Sequence, residues 1–469
     1  MKHTKILATY GPSIASVEVL HKLMAEGVNA FRVNCSHGDK DDFLRAVSLI
    51  REASSGNDFP AGLLFDISGP KLRLDRFKGE IDLEKGDNIT ISAGKSDIKN
   101  RIIGVNHPEI ISSVRMDERI ILDDGNLILK ILKIDNNGVL AEACNKYKLL
   151  PAKGINLPDT EIKIPTITKK DRDDIRTAVE AEADFIALSF VRSGDDIVEA
   201  RELIKNHGGQ QKIIAKLEKR EAIENLDVII QLSDGIMIAR GDLGVELPPA
   251  ELPRLQKQII KKANRHHCPV IVATQMLESM RFSPRATRAE INDVASAVFD
   301  HADVVMLSAE TASGEYPLEA VRVMTAAVNA AEFENDKPKV RPDDQFIKEP
   351  IAYSIAGAVS STNQLCKTKA IFAMTTTGYT AGLISTLFQG VPIIALTADR
   401  KVMNQLTLHR SVYAIRVKQM TSFTEVLQEV NEASLEQGLA DKNDRVIITG
   451  GYPFGKGTET NFMMIHIVG

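Results

Sequence analysis

In KIIAKLE, residues 212–218, a lysine and a glutamate stand two positions apart at the end of an apolar run. Alternate residues of a strand share a face, so Lys216 and Glu218 point into the same space. The next apolar run, GIMIAR, leads into Arg240-Gly241-Asp242-Leu243-Gly244. If the two strands are neighbours, Asp242 and Glu218 can chelate one cation. Two carboxylates with no His or Cys beside them favour a hard ion, Mg²⁺ or Mn²⁺. A lysine–glutamate pair that merely closes a strand end explains these residues equally well. Gly241 and Gly244 bracket a turn whose N–H groups can converge on an anion, with glycine allowing close approach to the main chain. Next to a divalent ion, that points to a substrate bearing a carboxylate.

AFRVNCSHG carries Arg32, Asn34 and Ser36 at alternate positions. An arginine with two small polar partners makes a cradle for a phosphoryl group. A polar layer at the bottom of a barrel is the plain alternative, and the position at a strand's end argues against it. VIVATQM delivers Thr274 to the same end, where a lone threonine taken by itself reads as packing. FDISGPKLR sets Asp66 and Lys71 on the two sides of a Gly-Pro turn, a charge arrangement common on surfaces. A phosphoryl cradle, a lysine, a divalent metal and an anion-binding turn on one rim suit phosphoryl transfer, in which catalysis is mainly positioning and charge neutralisation.

The elements that carry these residues alternate regularly. KILATY, AFRVN, GLLFDI, FIALSF, KIIAKLE, GIMIAR, PVIVAT and DVVMLSAE are short apolar strands, and helix-period segments follow them. Strands apolar on both faces belong to parallel sheets. Eight such units predict an α/β fold, a (β/α)₈ TIM barrel, with the chemistry at the C-terminal ends of the strands. The rhythm stops after the third strand. Residues 68–164 read as short alternating strands with DDG and NNG turns, an inserted all-β domain placed to act as a lid. The barrel is expected over 1–67 and 165–340. A separate C-terminal α/β domain is expected over 345–469, after the linker NDKPKVRPDD.

Composition bounds the rest. The 469 residues exceed one ordinary core, and 43% hydrophobic with 26% charged residues is a globular balance. A net charge of −5 gives no field for nucleic acid, and the basic clusters KKANRHH and TKKDRDD read as solvated faces. The start, MKHTKILATYGPS, lacks the apolar core of a secretory signal, and no apolar run is long enough to span a membrane. Cys35, Cys144, Cys268 and Cys366 are scattered without a CxxC, so a reducing, cytoplasmic setting is expected. The RGD at 240–242 would need an extracellular setting to act in adhesion. Gly450-Gly451-Tyr452-Pro453-Phe454-Gly455-Lys456-Gly457 nearly matches a P-loop. Its Ser/Thr position is Gly457, however, and a strand pattern follows in place of a helix.

Read in order, TKILATYGPS, FRVNCSHG, DISGPKLR, LDDGNL, KGINLP, AKLEK, MIARGDLGVE, ATQMLESM, TRAEINDVASAV and MLSAETASGEYP resemble the pyruvate kinase family over essentially the whole chain. The resemblance implies a barrel, a β lid and a C-terminal effector domain, usually in a homotetramer. It implies transfer of the phosphoryl group of phosphoenolpyruvate to ADP, giving pyruvate and ATP in the last step of glycolysis. By motif, Lys216 would balance charge on the phosphoryl group in flight and on the enolate. Glu218 and Asp242 would bind Mg²⁺ or Mn²⁺. The amides from Ala239 through Arg240 and Gly241 to Asp242 would receive the substrate carboxylate. Arg32 and Arg73 would contact the phosphoryl side, and Thr274 would sit where the enolate is protonated. Arg32, Asn34, His37 and Lys153 would face the nucleotide, while Asn34, Ser36 and Asp66 would line a monovalent-cation site.

Two departures matter. Many members read DTKGPEIR where this chain reads DISGPKLR, and they require K⁺. Members with lysine at the place of Lys71 typically do not, because an ammonium supplies the same charge. The loop TTTGYT, with Thr375, Thr376, Thr377, Gly378 and Thr380, matches an effector-phosphate loop, to which Lys456 would add a cation; a plain helix N-cap is the alternative. Tyr379 stands where some bisphosphate-regulated members have arginine, which leaves the identity of a phosphorylated effector open. Two other readings stay in view. One is another Mg²⁺-dependent enolate-forming barrel enzyme, which would need no nucleotide lid. The other is a silent phosphate-sensing protein, which would be expected to have lost Lys216, Glu218 or Asp242.

Overall fold

The structure, a computed structural model, describes residues 1–469 except 58, 136–137, 163, 334–348, 388 and 456; the expected linker, 335–344, lies outside the described residues. Three strands open the chain: β1 (Lys5–Thr9), β2 (Ala30–Asn34) and β3 (Gly62–Ile67). Eight more follow: β4 (Ile81–Leu83), β5 (Asn88–Ser92), β6 (Ile102–Gly104), β7 (Arg119–Leu122), β8 (Leu127–Asp135), β9 (Gly138–Ala143), β10 (Tyr147–Leu149) and β11 (Ile155–Asn156). Then come β12 (Phe185–Leu188), β13 (Lys212–Leu217), β14 (Gly235–Ala239), β15 (Val270–Ala273) and β16 (Val304–Leu307). The last five are β17 (Ile371–Met374), β18 (Ile393–Thr397), β19 (Val412–Arg416), β20 (Arg445–Gly450) and β21 (Phe462–Ile467).

β1, β2, β3 and β12 to β16 close into a parallel barrel in the order β1-β16-β15-β14-β13-β12-β3-β2. Their two apolar faces have different partners. Outward residues such as Ile6, Phe31 and Ile186 pack under the surrounding helices. Inward residues Leu7, Leu64, Ile214, Met237 and Ile271 fill the barrel. This double burial is why the strands read as continuous apolar runs.

The insertion obeys a different rule. In β8, Leu127, Leu129 and Ile131 are buried while Lys130 and Leu132 are exposed, the alternation of a sheet with one wet face. Its six-stranded sheet runs β11-β7-β8-β9-β5-β6, and β10 pairs with β4. At the β7–β8 hairpin Asp123, Asp124 and Gly125 all take positive φ, as tight hairpin turns require. The C-terminal sheet runs β19-β18-β17-β20-β21, parallel except for the antiparallel edge β21. The chain after Gly457 thus enters a strand, where a P-loop needs a helix.

The C-terminal region docks on the N-terminal rim of the barrel, away from the strand ends that carry the chemistry. Leu408 joins the apolar cluster inside the barrel. Thr407 lies so close to Gly62 that a Cβ there would stand 2.1 Å from its Oγ1, so β3 must begin with glycine. Arg410 donates to Thr4 Oγ1 at 2.6 Å and to the carbonyl of Ala302 at 3.2 Å. No helix among the described residues is long and apolar enough to cross a membrane.

Three histidines, His267, His301 and His409, lie at or near this seam, and burial pushes each down to about 4. A depressed histidine contributes stability that is present above its unfolded value of 6.5 and lost as pH falls through the folded value. His409→Gln should therefore remove about 3 kcal/mol of the stability lost on acidification through that window. Urea midpoints of parent and variant across this range check it; parallel pH profiles would count against a buried neutral His409.

Candidate active site

At the C-terminal end of β13, Lys216 is held by three oxygen groups. Its Nζ donates to Ser189 Oγ at 2.7 Å and pairs with Glu218 Oε1 at 2.8 Å and Asp66 Oδ1 at 3.1 Å. Burial alone would lower its pKa, but Asp66 and Glu218 outweigh it and hold the ammonium well above the ordinary lysine range. Asp66, the fifth residue of β3, also accepts from Arg32 Nε at 2.6 Å. Burial works against its ionised form, yet Lys216 and Arg32 keep its pKa low. Arg32 further donates to Thr9 Oγ1 at 3.1 Å, so β1, β2, β3 and β13 are tied together at one rim.

Glu218 Oε2 accepts from the Phe190 amide at 2.7 Å. Phe190 reaches it by adopting φ 54°, a costly conformation for a large side chain. Burial raises the pKa of Glu218; Lys216 opposes the rise and Asp242 adds to it. Asp242 is likewise raised by burial, against Lys216 and Lys71 and with Asp124 and Asp66. The buried Glu218 and the half-buried Asp242 thus face a shared cavity with less positive charge than they need. Among the described residues no three acidic, His or Cys side chains close into a cage. The pair fits a hard cation that keeps oxygen ligands from outside the protein, as Mg²⁺ prefers.

That cavity, about 110 Å³, is bordered by Arg32, Asn34, Ser36, Asp66, Lys71, Lys216, Glu218, Ala239, Asp242 and Thr274. Ser189 and Phe190, at the end of β12, line it too. Sequence reasoning passed over both, although FIALSF ends at the same rim. Lys71 crosses the Gly-Pro turn to donate to Ser36 Oγ at 2.9 Å, which places its ammonium among Asn34, Ser36 and Asp66. Burial and then Lys216 lower its pKa, while Asp66, Glu218 and Asp242 support its charge.

The segment between Gly241 and Gly244 differs from expectation. It is not an open turn but part of a short helix, Arg240–Glu246, that starts directly at the end of β14. The Gly241 amide is already given to Thr274 Oγ1 at 2.8 Å, and Thr274 itself donates to the Ala273 carbonyl. Arg240 itself does not border the cavity, although its neighbours Ala239 and Asp242 do. Its guanidinium turns away to Asp293 at 2.7 Å and to the Thr274 and Gln275 carbonyls at 2.7 and 3.1 Å. Thr274 and Gln275 have φ of 66° and 54°, so this arginine holds a strained loop in place.

A second cavity, about 280 Å³, lies between lid and barrel and shares Lys71, Phe190 and Asp242 with the first. Arg73 and Lys153 line it; Lys153 pairs with Asp123 at 2.9 Å and Arg73 donates to the Ala152 carbonyl. His37 stands exposed on the barrel rim. Partial burial lowers its pKa, as do Lys71, Arg73 and Arg32. Far from both, Thr375, Thr376, Thr377 and Thr380 line a cavity of about 430 Å³ in the C-terminal region, together with Tyr379. Gly378 caps the helix Tyr379–Ser385 with φ 86°, and its amide donates to Thr375 Oγ1. Glu349, Asp399 and Glu459 also line this cavity, an acidic wall that the loop sequence did not announce. Lys456 lies outside the described residues.

The family description "Pyruvate kinase, barrel domain" matches residues 1–321, and "Pyruvate kinase, alpha/beta domain" matches residues 353–466. A pyruvate kinase from Staphylococcus epidermidis is 38% identical over 473 residues, covering 100% of this chain and 81% of that protein. One from Clostridium perfringens is 37% identical over 477 residues, 99% of each. Among solved structures, a pyruvate kinase from Cryptosporidium parvum superposes with a TM-score of 0.92 at 34% identity, covering 100% of this chain and 96% of that one.

Arg240→Ala should cost about 2 kcal/mol, because it takes the donor from the Thr274 and Gln275 carbonyls, whereas Asp293 is one-third exposed and can be hydrated. Denaturant unfolding reads this directly; a loss below about 1 kcal/mol would mean that the loop holds itself.

Proposed function

The chain belongs to the pyruvate kinase family and is a phosphotransferase, and on that premise we propose how its own side chains serve the transfer from phosphoenolpyruvate to ADP. Both reactants are anionic and repel until cations stand between them. The observation that carries the reading is Lys216, fixed between Asp66, Glu218 and Ser189 at the cavity wall. A lysine so held stays charged and meets the growing negative charge of the phosphoryl group and enolate without first having to be ordered. Arg32 and Arg73 hold the phosphoryl side, and the main chain from Ala239 to Asp242 holds the carboxylate, with the Gly241 amide already committed to Thr274.

Glu218 and Asp242 would hold Mg²⁺ or Mn²⁺. When bound, the ion supplies charge neutralisation and a template for the substrate's oxygens. Thr274 donates its own proton to Ala273, so we assign it to holding a water that protonates the enolate rather than to giving up that proton. Asn34, His37 and Lys153 are assigned to the nucleotide: Lys153 borders the cleft under the lid, Asn34 lines the smaller cavity beside it, and His37 stands on the rim. Lys71 takes the place of K⁺, and its hydrogen bond to Ser36 supports this reading. Regulation by a phosphorylated metabolite in the threonine-lined cavity, and a homotetramer, complete the proposal. The exposed apolar residues Ile351, Leu365, Ile465 and Ile467 around the C-terminal sheet suit subunit contact.

Lys216→Met should lower kcat about 100-fold or more while KM for phosphoenolpyruvate changes far less, as a transition-state contact requires. A near-normal kcat would remove Lys216 from this role. Pyruvate formation in potassium-free buffer at matched ionic strength should equal that with K⁺, and Lys71→Glu should make it potassium-dependent. Many-fold stimulation of the parent by K⁺ would sink the substitution idea. A panel of phosphorylated metabolites in the same assay tests the effector.

A further inference from the structure

Glu246 is a carboxylate only 2% exposed, at the last position of the helix that carries Asp242. One helical turn separates the two, so they lie on the same face. Its Oε1 accepts from two sources. Lys219, two residues beyond the end of β13, gives its ammonium at 2.6 Å. Asn156 of the lid gives its side-chain amide at 3.3 Å. Asn156 is no loose tether. It sits on β11, paired with Ile121 of β7, the strand that leads into Asp123. Lys219 and Asn156 both border the cleft between lid and barrel, and Lys219 neutralises a carboxylate that could otherwise not stay buried beside it.

We infer that Glu246 is a positioning residue that latches the lid, through Asn156, to the helix that presents Asp242. The lid's place over the cleft and the place of Asp242 are then set by one short rigid element. The consequence for the reaction rests on the reading that the nucleotide occupies this cleft, whereas the latch itself does not.

The test uses the full-length enzyme without ligands. Asn156→Ala should speed amide exchange in residues 155–166 about tenfold and leave the lid strands 119–143 unchanged. Unchanged exchange in 155–166 overturns the latch, as does equal acceleration of 119–143, which would make Asn156 a support of the lid's own fold. Asn156→Asp sets a second carboxylate against Glu246 and should loosen 155–166 further. Adding Glu246→Gln to that variant should restore protection, and failure to do so also overturns the proposal. In steady-state assays Asn156→Ala should raise KM for ADP about fivefold and alter KM for phosphoenolpyruvate less than twofold, because only the lid side of the cleft shifts. Faster exchange in 155–166 with an unchanged KM for ADP upholds the latch and counts against the placement of the nucleotide.

Discussion

The site depends on one buried ammonium. Lys216 gathers Asp66, Glu218 and Ser189 from three different strand ends, and through Asp66 it reaches Arg32 and Thr9. An unpaired charge at this depth would cost several kcal/mol, so each partner is needed for the others to remain ionised. The mutual requirement makes the rim rigid before any ligand arrives. It also explains a constraint elsewhere: Phe190 accepts a left-handed backbone so that its amide can reach the remaining oxygen of Glu218.

Around that core the cavity has a surplus of buried acid. Glu218 and Asp242 are both pushed toward protonation by burial; Asp242 adds to the pressure on Glu218, and Asp66 adds to the pressure on both. Lys71 relieves part of the strain from outside the barrel, reaching in across the turn where β3 hands over to the lid. The same short segment therefore serves as a covalent hinge and as a source of charge. The sequence FDISGPKLR looks incidental only when read without the strand ends that surround it.

Much of this was legible in the residues themselves. The (β/α)₈ barrel follows from eight apolar runs, because burial on both faces leaves little room for polar residues. The side-by-side placement of Lys216 and Glu218, and of Arg32, Asn34 and Ser36, follows from the two-residue period of a strand. What escaped were contacts set by local backbone choice. The sequence allows Gly241–Gly244 to be a loop or a helix, and the burial of Leu243 and Glu246 decides for the helix. The guanidinium of Arg240 turns outward because strained carbonyls wait there. Glu246 was silent because its two partners lie 27 and 90 residues away in the chain.

The packing of Leu408 into the barrel has a thermodynamic corollary. The C-terminal region supplies part of the barrel's floor, so it is not an appendage that could shift without the barrel responding. If a ligand in the distant threonine-lined cavity moves that floor and thereby alters affinity at the opposite rim, a substrate at the rim must alter the affinity of that ligand by the same factor. The barrel would then carry influence equally in both directions, and neither end could be assigned the part of sender alone.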